Sequence, residues 1–274
     1  MKKIFLIFTG AFCFSLATFA QSNQTLTLIK GDKYQVENKL ETTNSTNVQG
    51  QDMESKMNVY STYHISVKDK ANNNYKLTNT ITHMVMAMSM MGNDINFDSD
   101  KKEDLDGQMG TALKGYINQP KEVVIDNSGK IISKDETDTS AIAKQLNIAA
   151  TGYGTQMAFQ SLPKNSKVGS TWTENNDDNG IKRNTNYTIK SIDGSVATIG
   201  FDGTVTTEAT MEQQGMEVST KTTGKFSGEE KVDMKTGVVQ LNTTTGEASG
   251  TFTAMGQDFP TSSKIISTTT VKAL

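Results

Sequence analysis

Met84, Met86, Met88 and Met90 recur at every second position, the most chemically suggestive spacing in the chain. Soft thioethers bind Cu(I), and residues two apart on a strand lie about 6.5 to 7 Å apart, so four flexible methionines can converge on one ion. The nearby nitrogen ligand, His83, has the opposite parity and points to the other face of a regular strand. Methionine also fills irregular apolar space. The same stripe therefore reads as packing under a roof, or as the wall of a cavity for an apolar ligand.

The acids Asp94, Asp98, Asp100, Glu103, Asp104 and Asp106 suggest calcium. An EF-hand needs oxygen ligands at alternate positions, and with Asp98 first, Lys102 takes the fifth. A solvated loop whose acids favour the start of a following helix fits better, and Asn175 to Gly180 reads as a turn. Only His64 and His83 supply imidazole, and neither lies in a nucleophile or metal motif. G-x-S-x-G, H-E-x-x-H, phosphate-loop and dinucleotide patterns are absent. The expectation is a non-enzyme with no cofactor and no assigned metal; Cu(I) binding by the stripe stays as a minor alternative.

These side chains need strands to hold them. Met57, Val59, Ser61, Tyr63, Ile65 and Val67 share one parity, which predicts a half-buried strand. After the turn at Asp69 to Asn74, Tyr75, Leu77, Ile81, Val85 and Ala87 predict a continuous core face. The even positions change from Lys76, Thr78, Thr80 and Thr82 to the methionines. A strand apolar on both faces must be covered on both, so the far half of this sheet is expected to be roofed. Leu105, Met109, Ala112, Leu113 and Tyr116 predict one helix, and Ile142, Leu146, Ala150, Tyr153 and Met157 a second, from about Thr139 to Leu162 and stopped by Pro163. Between them, Glu122 to Ile132 predicts a hairpin around Gly129.

The second half restarts the pattern. Val168 to Trp172 (VGSTW) parallels Lys30 to Tyr34 (KGDKY), each a glycine followed three residues later by an aromatic, which casts Trp172 as a core anchor. Leu77 to Gly92 and Leu241 to Gly256 have equal lengths, placing Ala248, Gly250, Phe252 and Ala254 opposite the four methionines. Gly50 and Gly92 are separated by 42 positions, Gly215 and Gly256 by 41. A divergent duplication follows: two related antiparallel β-meanders, about residues 21–135 and 165–274, forming a curved sheet or partial barrel with two intervening helices packed on it. The class is β-dominated α+β, one domain over 21–274 with a helical joint at 138–162.

Residues 1–20 predict a secretory signal peptide: Lys2 and Lys3, an apolar run from Ile4 to Leu16, then Thr18 and Ala20 before the cleavage point. No later run approaches the roughly 20 apolar residues of a membrane-spanning helix. Cys13, the single cysteine of 274 residues, leaves with that segment. Removing Lys2 and Lys3 takes 27 basic and 30 acidic groups to 25 and 30, a net charge of −5, which gives no reason to bind nucleic acid or anionic headgroups.

The early K-G-D-x-Y, the P-K-x-V-x-I-D-x-x-G-K-I segment from Pro120 to Ile131 and V-G-S-T-W at 168–172 resemble an uncharacterised family of exported bacterial proteins, a domain of unknown function. The resemblance implies structural motifs and lends no catalytic residues. A looser architectural similarity is to LolA and LppX-like periplasmic carriers, in which a curved sheet encloses helices and an apolar cavity. The functional expectation is a non-catalytic protein exported to the periplasm or outer surface of a bacterium. It would bind a lipid or acyl chain between sheet and helices, with Met84, Met86, Met88, Met90, Ala248 and Phe252 lining the site. The alternative is a structural or protein-interaction module of the cell envelope with an ordinary core.

Overall fold

The computed structural model describes residues 25–48, 50–90, 93–134, 153–178, 180–213 and 216–274. In chain order the elements are β1 (Lys33–Val48), β2 (Gln51–Ala71), β3 (Asn74–Met90), β4 (Asn93–Asp98), α1 (Lys102–Asp106), α2 (Gln108–Leu113), β5 (Lys121–Asp126), β6 (Ile131–Lys134), α3 (Tyr153–Ala158), β7 (Thr171–Asp178), β8 (Ile181–Asp193), β9 (Val196–Gln213), β10 (Met216–Asp233), β11 (Val239–Ala254) and β12 (Gln257–Ala273). The twelve strands form one sheet in the order β6-β5-β3-β2-β1-β12-β11-β10-β9-β8-β7, with β4 paired to the far half of β3. The expected β-dominated α+β class, built on a curved antiparallel sheet, is what the chain adopts. The first and last long strands pair with each other, from Tyr34 opposite Ala273 to Thr46 opposite Thr261, and this seam joins the two halves.

Strand parity sets the inner face. On β2, Met57, Ser61, Tyr63, Ile65 and Val67 are buried as expected. On β3 the core face does not continue through Val85 and Ala87 as expected, and a bulge is the reason. Thr62 pairs with His83 but Tyr63 pairs with Ile81, so Thr82 is an extra residue in β3. One extra residue reverses the parity of everything beyond it. Tyr75, Leu77 and Ile81 point inward before the bulge, Met84 and Met86 after it, all into one core. Val85 and Ala87, expected to continue the core face, lie on the other side and are half-buried. The methionines are the first face resumed, not a second one.

The helices are shorter than their periodicity predicts. The stripe from Leu105 to Tyr116 splits into α1 and α2 because Gly107 is extended. A Cβ on Gly110 would lie 2.3 Å from the Leu105 carbonyl oxygen, so the second turn folds tightly against the first. Leu105 is exposed, while Leu113 and Tyr116 enter the core, Tyr116 from beyond the helix end. Most of the second expected helix, residues 139–152, lies outside the described residues. Its end is corrected: α3 stops at Ala158, and Phe159 bridges Val238 instead of continuing to Leu162. The run expected as an acidic loop begins as strand β4, and Asn175 to Asp178, expected as a turn, belong to β7. The turn residues Met91 and Gly92 lie outside the described residues.

The repeated glycine loops match bond for bond. Gly31 N–H donates to Val67 O and Val67 N–H to Asp32 O; Gly169 N–H donates to Ile189 O and Ile189 N–H to Ser170 O. Ile29 N–H is capped by the Asp32 carboxylate, and Lys167 N–H by the Ser170 hydroxyl. Both glycines have positive φ, where a side chain is strained. The two aromatics start β1 and β7. Tyr34 packs edge-on to Phe159, and Trp172 stacks on Tyr187 at 4.9 Å.

Residues 25–29 bridge two turns that lie far apart in the strand order. Leu26 N–H donates to Asn127 O (2.7 Å) in the β5–β6 turn, and Thr27 N–H to Thr236 O (3.1 Å) in the β10–β11 turn. Tyr75 Oη donates to Leu26 O at 2.6 Å. One short segment thus ties turns from opposite halves and closes one end of the concave face. Glycines let the sheet curl: a Cβ on Gly228 would lie 2.0 Å from Thr243 O, and one on Gly250 2.0 Å from Lys221 O. Phe201 and Phe226 lie over the paired Gly228 and Gly203, covering backbone that has no side chain of its own.

Candidate functional site

The inner face changes character along the strands. Near the Leu26 end it is apolar, with Tyr75, Leu77, Ile125, Ile199 and Val232 fully buried. Further along, one row crosses the sheet as Ser61, Asn38, Thr269, Asn242 and Glu230. Asn38 Nδ2 donates to Thr269 Oγ1 (3.0 Å), Thr244 Oγ1 to Asn242 Oδ1 (2.9 Å) and Asn242 Nδ2 to Glu230 Oε2 (3.2 Å). Burial pushes the Glu230 carboxyl up to about 8, against the Asn242 hydrogen bond, and the Glu174 charge adds to the rise. Glu230 is thus neutral through most of the physiological range.

Glu174 and Arg183 are buried on the same face. Trp172 Nε1 donates to Glu174 Oε1 at 3.0 Å, and the Arg183 guanidinium lies 5.4 Å from the Phe226 ring centre. Burial first, then the charges of Glu174 and Glu230, hold the Tyr187 hydroxyl well above its ordinary value. The sequence reading missed these groups. The available signal was parity: Arg183 occupies the same alternate positions as Ile181, Tyr187 and Ile189, so a charge stands where an inward residue belongs.

Toward the hairpin tips the inner face becomes uncharged and hydroxylic. Ser55, Asn44, Ser263, Ala248 and Gly224 form one row across β2, β1, β12, β11 and β10, and Met53, Thr46, Thr261, Gly250 and Thr222 the next. At the rim Phe259 pairs with Phe252, ring centres 6.3 Å apart, and both are half-buried. Met53, Met88 and Ala254 are half-buried there too.

Met84 and Met86 are fully buried in the core, Met86 between Val59 and Phe97. Met88 is half-buried beside Met57, and the side chain of Met90 lies outside the described residues. Ala248 is buried and Phe252 lies at the rim. The register does not bring the two groups side by side. β2, β1 and β12 intervene, and the row through Met88 crosses β11 at Gly246, six positions before Phe252.

On the outer face, His83 Nε2 lies 3.5 Å from Asp98 Oδ1 and 3.5 Å from Asp100 Oδ2. The Asp100 N–H and the His83 ring together lower the Asp98 pKa. Two open grooves, about 590 and 540 Å³, also lie there and share Asp202, Ser227 and Thr245. Among the described residues no helix is long and apolar enough to cross a membrane.

Over 90% of its length the chain is similar to lipovitellin, in a structure concerned with lipid–protein interactions, at 11% identity and a TM-score of 0.54; it spans 25% of that chain. It is also similar to an outer membrane channel from Pseudomonas putida F1, at 9% identity and a TM-score of 0.26 over 93% of this chain and 100% of that one. For the Pseudomonas aeruginosa protein OccK5 the values are 6%, 0.27, 89% and 98%. Scores that low carry no argument. No curated protein sequence matches the chain. A family model matches residues 72–152 and 139–239, more than half of the sequence, and the chain belongs to that family, DUF6263, a family of unknown function.

Proposed function

We propose that this is a non-catalytic, exported protein that holds a lipid or acyl chain against the concave face of its sheet, at the hairpin-tip end. The observation that carries the reading is the half-exposed apolar rim: Met53, Met88, Phe252, Ala254 and Phe259 all have inward parity yet remain partly open to solvent. Inward apolar side chains left open at the mouth of a concave sheet mark a binding surface more often than a finished core. The fold likeness to lipovitellin, a protein described for its lipid–protein interactions, supports the reading. The methionine stripe has a smaller part than its spacing suggests, since Met84 and Met86 are packing and, among the described side chains of the stripe, Met88 alone reaches the rim. Cu(I) binding by the stripe would require those two to leave a closed core.

The test is native mass spectrometry of the mature protein purified without detergent, with displacement of a fluorescent fatty acid. The reading expects a bound apolar species and saturable displacement. A single ligand-free mass with no probe binding would leave the structural-module alternative standing.

A further inference from the structure

Among the described residues, four hydroxyls on the concave face are more than nine-tenths buried and make no hydrogen bond: Thr42 Oγ1, Ser55 Oγ, Thr222 Oγ1 and Ser263 Oγ. Buried polar groups are nearly always paired, and leaving one unpaired is costly. These four are not scattered. Ser55 and Ser263 flank Asn44 on neighbouring strands, so they stand about 10 Å apart across the sheet. Thr42 is the next inward position on β1 toward the apolar end. Thr222 faces the group across Gly250, which offers no side chain. Thr46 and Thr261 beside them share one 3.1 Å hydrogen bond.

From β2 to β10 these two rows contain no charged side chain, and the nearest inward charge along the Ser55 row is Arg183, on β8. A carboxylate or phosphate brought here would be desolvated without a counter-charge. An ester or hydroxyl would gain donors and acceptors already held in place. The hydroxyl rows lie immediately below the apolar rim of Phe252 and Phe259.

We propose that this hydroxyl patch is a head-group subsite for an uncharged, oxygen-bearing amphiphile such as an acyl ester, with the acyl chain passing along the apolar rim. The inference rests on the apolar-ligand reading above and adds the chemistry of the head. It selects against free fatty-acid anions.

Delipidated mature protein would be titrated with monoolein and with oleate, at pH 8 where oleate is ionised, each displacing a fluorescent acyl probe. Monoolein is expected to bind at least tenfold more tightly than oleate. Thr42→Val should weaken monoolein about fivefold, and Thr42→Val with Ser55→Ala and Ser263→Ala on the order of 100-fold, with binding of the acyl probe itself nearly unchanged. The ligand-free variants should melt at or above the wild-type temperature, because the lost hydroxyls had no partners. Equal binding of the two ligands, tighter binding of oleate, or unchanged monoolein affinity in the triple variant would overturn the subsite while leaving the apolar-ligand reading intact. Failure of the probe and both ligands to bind would overturn the apolar-ligand reading itself.

Discussion

Leu77 and Met86 point to the same side of β3 although they are an odd offset, nine positions, apart, because Thr82 is an unpaired extra residue between them. That bulge turns what looks like a second apolar surface into a continuation of the first. Position along the strand then splits the methionines: Met84 and Met86 are sealed in the core, and Met88 is half-exposed near the mouth.

Substitution should reproduce that split. Met86→Ala is expected to cost about 2–5 kcal/mol, as for a fully packed side chain, and Met88→Ala less than about 1 kcal/mol. Denaturant unfolding of both variants is the measurement, and equal costs would contradict the packing described here. Deleting Thr82 alone should unfold the protein, since every residue beyond it would reverse its facing.

Glu230 gives stability a definite pH dependence. Its carboxyl is raised in the folded state from 4.5 to about 8, so the folded protein holds a proton that the unfolded chain releases. The stability associated with that proton is complete below about pH 4.5 and declines as pH rises through 8. Glu230→Gln should therefore be more stable than wild type at pH 7, by on the order of 3 kcal/mol, with the two curves converging in acid. Parallel curves between pH 4.5 and 8 would show that Glu230 is ionised in the fold.

The sheet's curl depends on glycines without room for a side chain. Gly228→Ala places a Cβ 2.0 Å from the Thr243 carbonyl and 2.4 Å from the Phe201 ring, and should cost about 3 kcal/mol or more. Gly169→Ala meets open space and only the strain of positive φ, about 1 kcal/mol. Thermal melts of the pair distinguish close approach from backbone strain.

Leu26 ties the two halves at one end, its methyl groups lying close to where Cβ atoms on Gly129 and Gly237 would be. Leu26→Ala should destabilise by about 2–5 kcal/mol. Hydrogen exchange should speed up at both turns it serves, 126–130 and 233–238. Faster exchange in one turn only would mean the segment belongs to one half.

Strand identity was legible because alternation survives any tertiary context, as on β2 from Met57 to Val67. The likeness of the loops at Gly31 and Gly169 was legible, because positive φ and matching hydrogen bonds demand a short fixed motif. The bulge was not legible: an extra threonine among threonines carries no local signal, and only cross-strand pairing reveals it. The helix at Leu105 was overdrawn because periodicity does not register the backbone break at Gly107. The hydroxyl patch escaped because threonine and serine at inward positions look like an exposed strand face until the sheet curls around them. Arg183 and Glu230 carried a visible sign, each a charge at inward parity, Arg183 with Tyr187 and Ile189 and Glu230 with Phe226 and Val232.

The central claim is that an acyl chain lies along the concave rim. The most direct test is a crystal structure of the protein with a brominated acyl ester, located by anomalous scattering. Bromine peaks beside Phe252 and Phe259 on the concave side are the predicted result. Peaks confined to the outer grooves around Asp202, or none at saturating ligand, would contradict it.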